Sequence, residues 1–363
     1  MKAGRITIVI DGQWGSTGKG KIAGYLALRD TPDIAVCNFM TNAGHWFRSK
    51  AIGNFLVQQL PIAAINQNID RLLIAASAGI TLDTLFKEIE QFESVDVSIR
   101  DRLGIDRHAV IITEEHKRTE RDTLVRISST TKGCGAALAQ KIMRHPSVLL
   151  AKDVPELAPF VCNVSDELHA ALQREAKILG ETAQGFDLSL NHGHVYPYVT
   201  SRDVTPMSFM NDIGVPSKYL GDVYGVIRSY PIRVGNVMSD DGQMLGYSGD
   251  FYNDQVEVSW DDIRKWTGRE IADERTTVTN KIRRIFSFSR EQYQKFVRIC
   301  APTKIAINFM DYLISHNDPN KVDWRDYANT NPFIQEIKTA GVPIALLGYG
   351  ADNDEIVDLE QQT

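Results

Sequence analysis

Residues 5–21 read RITIVIDGQWGSTGKGK: a β-branched run ending on an acid, then a loop dense in glycine and lysine, then helix-forming sequence over residues 21–29. That order demands a strand, a tight loop and a helix, which is the opening of an α/β unit. The loop is not a Walker A motif, because Gly12 stands one residue too far from Gly18-Lys19 and Gly20 occupies the place of the magnesium-binding hydroxyl. It is not GxGxxG either. Its four glycines nevertheless let backbone N–H groups converge on an anion, the helix start adds partial positive charge, and Lys19 and Lys21 add whole charges. A phosphate cradle is the expected use. Similar apolar runs recur at residues 34–39, 71–76, 109–113, 147–151, 304–309 and 342–347, with amphipathic stretches at 81–92 and 165–179 between them. The alternation predicts a large, mostly parallel central sheet with helices on both faces. The charge-dense stretch 114–126 reads as a solvated helix face, and the Gly-, Asp- and Ser-rich stretch 234–254 as a surface excursion.

With 363 residues, 43% apolar and 24% charged, the chain has material for a sizeable core. Its net charge of -6 argues against a dedicated nucleic-acid or anionic-membrane binder. Cys37, Cys134, Cys162 and Cys300 lie far apart, with no CxxC pair, which suits a reducing compartment. There is no signal-peptide pattern at the N-terminus and no membrane-length apolar run, so a soluble cytoplasmic protein is expected. Without internal repeats or an obvious linker, the whole of 1–363 is expected to form a single domain with surface excursions.

A second loop, Thr41-Asn42-Ala43-Gly44-His45, follows the second expected strand and is expected to neighbour the first. A histidine beside a phosphate cradle can act as a general acid or stabilise charge on a transferred phosphoryl oxygen. Taken alone, His45 reads more often as a structural histidine than as a catalytic one. His192 and His194 form an HxH pair without a third ligand at motif spacing, a weak metal signal.

Together, GQWGSTGKGK and TNAGH resemble the adenylosuccinate synthetase family, whose members carry GQWGDEGKGK and NAGH in that order. Later segments agree: residues 180–185 (GETAQG) with EGAQG, 192–201 (HGHVYPYVTS) with HGTYPYVTS, 230–236 (YPIRVGN) with TRVGN, 277–284 (TVTNKIRR) with TTTGRxRR, and 348–354 (GYGADND) with the C-terminal nucleotide loop. The likeness spans nearly the whole chain. It implies that family's fold with a P-loop-like nucleotide site, a homodimer, and a ligase that moves a γ-phosphate onto a purine 6-oxygen before the amine of L-aspartate displaces it.

Three departures bear on the substrates. Ser16 stands where the family has an aspartate that accepts the N1 proton of the base and helps hold magnesium. A small hydroxyl there leaves room and a hydrogen-bond partner for a 2-amino group, so a guanine base is expected. GSTGKG is similar to the viral branch of the family, which makes 2-aminoadenylosuccinate from dGMP. Residues 306–311 (AINFMD) stand where the family reads guanine of GTP with LTKLD, with Asn308 and Met310 at its Lys and Asp. An apolar residue leaves guanine donors unpaired, at a cost of about 1–3 kcal/mol, which favours ATP or dATP. A register one residue along restores an acid at Asp311. Lys281 replaces an arginine that contacts a ribose hydroxyl in the family, which is compatible with a deoxyribose.

Carried over position by position, the resemblance implies the following roles. Ser16, Thr17, Gly18, Lys19 and Gly20 hold ATP with Asn308, Gly348 and Gly350, and Lys19 meets the transferring phosphoryl group. Asn42, Ala43, Ser129, Thr130, Gln184, Thr200 and Lys281 line the dGMP site with Ser16, while Arg144 reaches the nucleotide of the neighbouring subunit. Thr277, Val278, Thr279 and Arg283 receive L-aspartate. His45 donates to the 6-oxygen, and magnesium sits on the Gly44 carbonyl with Ser16 as a further candidate ligand. Asp11 stands in reserve as a substitute base or as a structural acid. Two other readings fit part of the pattern: an ordinary adenylosuccinate synthetase using IMP and GTP, and a nucleotide-binding regulator that has lost the chemistry.

Overall fold

Val9 faces one side of the first strand while Ile8 and Ile10 face the other, and all three are fully buried. A strand covered on both faces belongs in the middle of a sheet, and the period of two divides its side chains between two cores. The computed structural model describes residues 1–239, 241–276, 280–315 and 318–361. Its main sheet comprises β1 (Arg5–Asp11), β2 (Ile34–Cys37), β3 (Arg71–Ile74), β4 (Leu103–Asp106), β5 (Val161–Cys162), β6 (Lys177–Gly185), β7 (Leu220–Arg228), β8 (Lys304–Asn308), β9 (Ile344–Gly348) and β10 (Ile356–Asp358). They lie in the order β10-β9-β8-β7-β1-β6-β2-β3-β4-β5. All neighbouring pairs are parallel except β9 with β10.

One core carries Val9, Ala35, Leu72 and Ile74 against Ile22 and Leu26 of α1 (Lys19–Asp30) and Ile89 of the helix Leu82–Glu93. The other carries Ile8, Ile10, Val36 and Leu73 against Leu168 of the helix Val164–Gln173 and Phe296 of the helix Arg290–Cys300. Parallel strands all point their carboxyl ends the same way, so the loops after β1, β2, β6, β7 and β8 gather along one edge.

Four expectations change. β2 does not neighbour β1, because β6 lies between them. The amphipathic stretch 165–179 is not helical throughout: the helix ends at Gln173 and the chain is extended from Lys177, the start of β6. Residues 109–113 and 147–151 stay outside the main sheet: Val110–Ile111 pairs with Gly79–Ile80, and Leu150 only bridges Val110. The 234–254 stretch is more than a surface excursion. It makes a small hairpin, Val237–Met238 with Met244–Gly246, and buries Ser248 and Tyr252.

Candidate active site

Asp11 ends β1 fully buried and organises the glycine-rich loop behind it. Its Oδ1 accepts the N–H groups of Gln13 (2.9 Å) and Gly15 (3.2 Å), and its Oδ2 accepts the Thr17 hydroxyl (2.6 Å) and Thr17 N–H (3.3 Å). Lys19 Nζ lies 3.5 Å from Oδ2 and donates to the Gln184 carbonyl at 3.0 Å. Both oxygens being committed, Asp11 is a scaffold for the loop, not a spare base. Gly18 takes φ 84 just before α1, a left-handed conformation that glycine adopts without strain. Gly185 at the end of β6 comes so close to the Gln13 carbonyl and the Gly15 amide that a Cβ has no room.

Two cavities of about 280 and 320 Å³ open over this loop and share Trp14, Asn42, Thr130 and Gln184 in their walls. That is the size of small-molecule sites. The first is also lined by Ser129, Thr200, Arg233 and the segment 196–199. The second holds Ser16, Gly18, Lys19, Gly20, Ala43, Gly44, His45, Glu274 and Arg283. Most expected residues therefore meet around one divided cleft. Thr17 lies beneath the loop, fully buried.

Other expected residues lie elsewhere. Asn308 is buried under the loop, where its Nδ2 donates to the Thr17 carbonyl at 2.8 Å. Gly348 and Gly350 line neither cavity. Lys21 turns toward them, donating to the carbonyls of Gly350 (2.8 Å) and Glu355 (2.9 Å), so it adds no charge to the cleft. Burial lowers its ammonium to about 8. Met310 is fully buried in a core and is not at a base-reading position. Asp311 is held by Arg269 (3.3 Å), and burial pushes its carboxyl up to about 6. Lys281 and Arg144 line neither cavity, and Arg144 is exposed. Thr277, Val278 and Thr279 lie outside the described residues. His194 stacks on Tyr252 with centroids 3.8 Å apart, and no cluster of metal-ligating side chains occurs among the described residues.

His45 is buried, its ring 4.0 Å from that of Phe39, and its Nδ1 lies 2.6 Å from Glu181 Oε1. The other Glu181 oxygen accepts Ile62 N–H at 3.0 Å. A carboxylate on Nδ1–H fixes the ring and leaves Nε2 for a ligand. Glu181 sits inside the GETAQG segment, and the signal that could have found it is the position of that segment on a buried strand. Arg228 and Glu274 are equally new. Arg228 is fully buried at the end of β7, with its guanidinium 3.7 Å from the Phe309 ring centroid. It donates through Nη1 to Glu274 Oε2 (3.0 Å) and to the Ser16 carbonyl (3.1 Å), and through Nη2 to Glu274 Oε1. Burial alone raises the Glu274 carboxyl, but Arg228 more than offsets this and leaves it below the ordinary value. Burial also lowers the Arg283 guanidinium to about 10.

With this geometry in place, likeness to known proteins has a site to attach to. The profile of the adenylosuccinate synthetase family matches residues 8–153 and 147–322. This chain belongs to that family. It is 35% identical to N6-succino-2-amino-2′-deoxyadenylate synthase of Acinetobacter phage SH-Ab 15497, over 95% of this chain and 91% of the relative. It is also 35% identical to adenylosuccinate synthetase of Pyrococcus horikoshii, over 97% of both chains. Among solved structures, cyanophage S-2L succinoaminodeoxyadenylate synthetase, bound to dGMP and to dATP as an energy donor, superposes with a TM-score of 0.81 at 28% identity, covering 98% of this chain and 95% of that one. Family membership and the main-sheet fold thus agree with the sequence resemblance. Among the described residues, no helix is long and apolar enough to cross a membrane.

Proposed function

We propose that this protein joins L-aspartate to C6 of dGMP, converting dGMP, L-aspartate and ATP or dATP into N6-succino-2-amino-2′-deoxyadenylate, the nucleoside diphosphate and phosphate. One observation carries the choice of base: Ser16 lines the cleft with a small, exposed side chain, while the nearest acid of its loop, Asp11, has both oxygens committed. A guanine 2-amino group meets a hydroxyl there and not a carboxylate. The phage relatives named above support the same substrate.

In this reading the γ-phosphoryl group moves to the purine 6-oxygen, and the aspartate amine then displaces it with release of phosphate. Lys19, fixed by Asp11 and the Gln184 carbonyl, meets the transferring phosphoryl group. His45, steadied by Glu181, donates from Nε2 to the 6-oxygen as charge develops. Gln184 holds Asn42 through Nε2 at 2.9 Å and shapes the base pocket. Arg283 receives a carboxylate of L-aspartate with residues 277–279. Ser16 and Gly44 line the same cavity as Lys19, and a serine hydroxyl and a backbone carbonyl are hard oxygen donors of the kind that would hold magnesium. Bound there, magnesium neutralises phosphate charge. The active form is a homodimer in which Arg144 reaches the neighbouring subunit's nucleotide.

The test offers purified protein L-aspartate, magnesium and ATP with dGMP, GMP or IMP in separate reactions, and reads the succinylated nucleotide by mass. Product from dGMP, little from GMP and none from IMP is expected. Product from IMP alone overturns the base assignment.

A further inference from the structure

We infer that Arg228 and Glu274 form a positioning pair that holds Ser16 in the conformation on which base selection depends. The inference rests on the reading of Ser16 given above. Ser16 has φ 55, a left-handed backbone conformation that a residue with a Cβ adopts only when its surroundings impose it. Its exposed hydroxyl supplies no such hold. Its carbonyl has one donor among the described residues, Arg228 Nη1 at 3.1 Å.

Arg228 is in turn fixed by Glu274. Its Nε has no partner among the described residues, so the direction of the guanidinium is set at the Nη atoms, where both meet the Glu274 carboxylate. Phe309 closes one face of the guanidinium, and the Tyr312 hydroxyl donates to Glu274 Oε1 at 3.0 Å. A planar fork paired with a planar carboxylate allows one orientation, which a lysine's rotating ammonium cannot reproduce. Ser16 thus sits at the end of a chain of contacts that leaves little freedom.

The same pair ties the nucleotide loop to the aspartate segment. The Glu274 carbonyl accepts the Arg283 N–H at 2.9 Å, so Glu274 fixes Ser16 through its side chain and the backbone of Arg283 through its carbonyl. Neither Arg228 nor Glu274 needs to touch a reacting atom for this role.

A double-mutant cycle on the full-length protein tests it. Arg228→Lys is expected to lower kcat/KM for dGMP about tenfold and to narrow the preference for dGMP over IMP. In a Ser16→Gly background the same substitution is expected to cost little, because glycine takes the left-handed conformation unaided. Equal fold-losses in the two backgrounds, with an unchanged dGMP-to-IMP ratio, overturn the inference and leave Arg228 merely structural. If Arg228→Lys lowers the melting temperature too far to assay, Glu274→Gln is read in the same cycle with the same expectation. The cycle is run on whichever nucleotide the unsubstituted protein turns over, or on nucleotide binding by calorimetry. A protein that prefers IMP therefore refutes the substrate reading while the coupling between positions 16 and 228 is still measured.

Discussion

His45 enters the cleft with one side of its ring already engaged, and that asymmetry decides what each substitution does. Replacing the ring removes the donor to the 6-oxygen, so His45→Asn is expected to lower kcat by about 10²–10⁴ with little change in nucleotide KM. Glu181→Gln keeps the ring but withdraws the charge behind Nδ1, and a loss of about tenfold in kcat is expected. Steady-state kinetics separate the two; a Glu181→Gln loss that persists undiminished in a His45→Asn background contradicts the view that Glu181 acts through His45. Asp311 behaves differently. Burial holds its carboxyl at about 6, above the 3.8 of an unstructured chain. The folded state therefore keeps this proton longer, so its stabilising contribution is full below about pH 4 and is lost as pH rises through about 6. Relative to the unsubstituted protein, Asp311→Asn should gain about 1–2 kcal/mol of stability between pH 5 and pH 8. Thermal melts at the two pH values check this, and a pH-independent offset contradicts it.

At the scale of elements, the cleft depends on β1 and β6 lying side by side. Their parallel pairing runs from Arg5 with Lys177 to Asp11 with Gly185, which places Gln184 against Lys19 and Gly185 against the loop. Gly185→Ala inserts a methyl group between two backbones, and neither can yield as a flexible side chain does. A loss of about 1–3 kcal/mol in stability and a marked loss of ATP affinity are expected, measured by denaturation and calorimetry. Full ATP affinity in a stable variant means that the loop tolerates displacement from β6. The strand-loop-helix opening at residues 5–30 is legible because a β-branched run followed by closely spaced glycines is a local signal. The neighbour of that loop is not, since residues 174–176 between helix and strand carry no glycine or proline to mark the change.

For the molecule as a whole, the exposed apolar pair Ile142 (74% exposed) and Met143 (75% exposed) stands next to Arg144 at the end of the helix Cys134–Ile142. If the homodimer forms there, the double substitution Ile142→Asp and Met143→Asp should shift sedimentation toward monomer and lower turnover together. A fully active monomer contradicts the proposed role of Arg144. On the same scale, the division between sequence and tertiary structure follows the range of each interaction. The sequence by itself determined the strand-loop-helix opening, the His45 loop and the serine at position 16, because each is a matter of residue type within a few positions. Only the tertiary structure decided that Asp11 braces the loop, that Lys21 turns away from the cleft and that Met310 is core. It alone joined His45 to Glu181 and Ser16 to Arg228, partners separated by 136 and 212 residues. Contacts closed over such distances depend on the order of strands in the sheet, and no local pattern of side chains encodes that order.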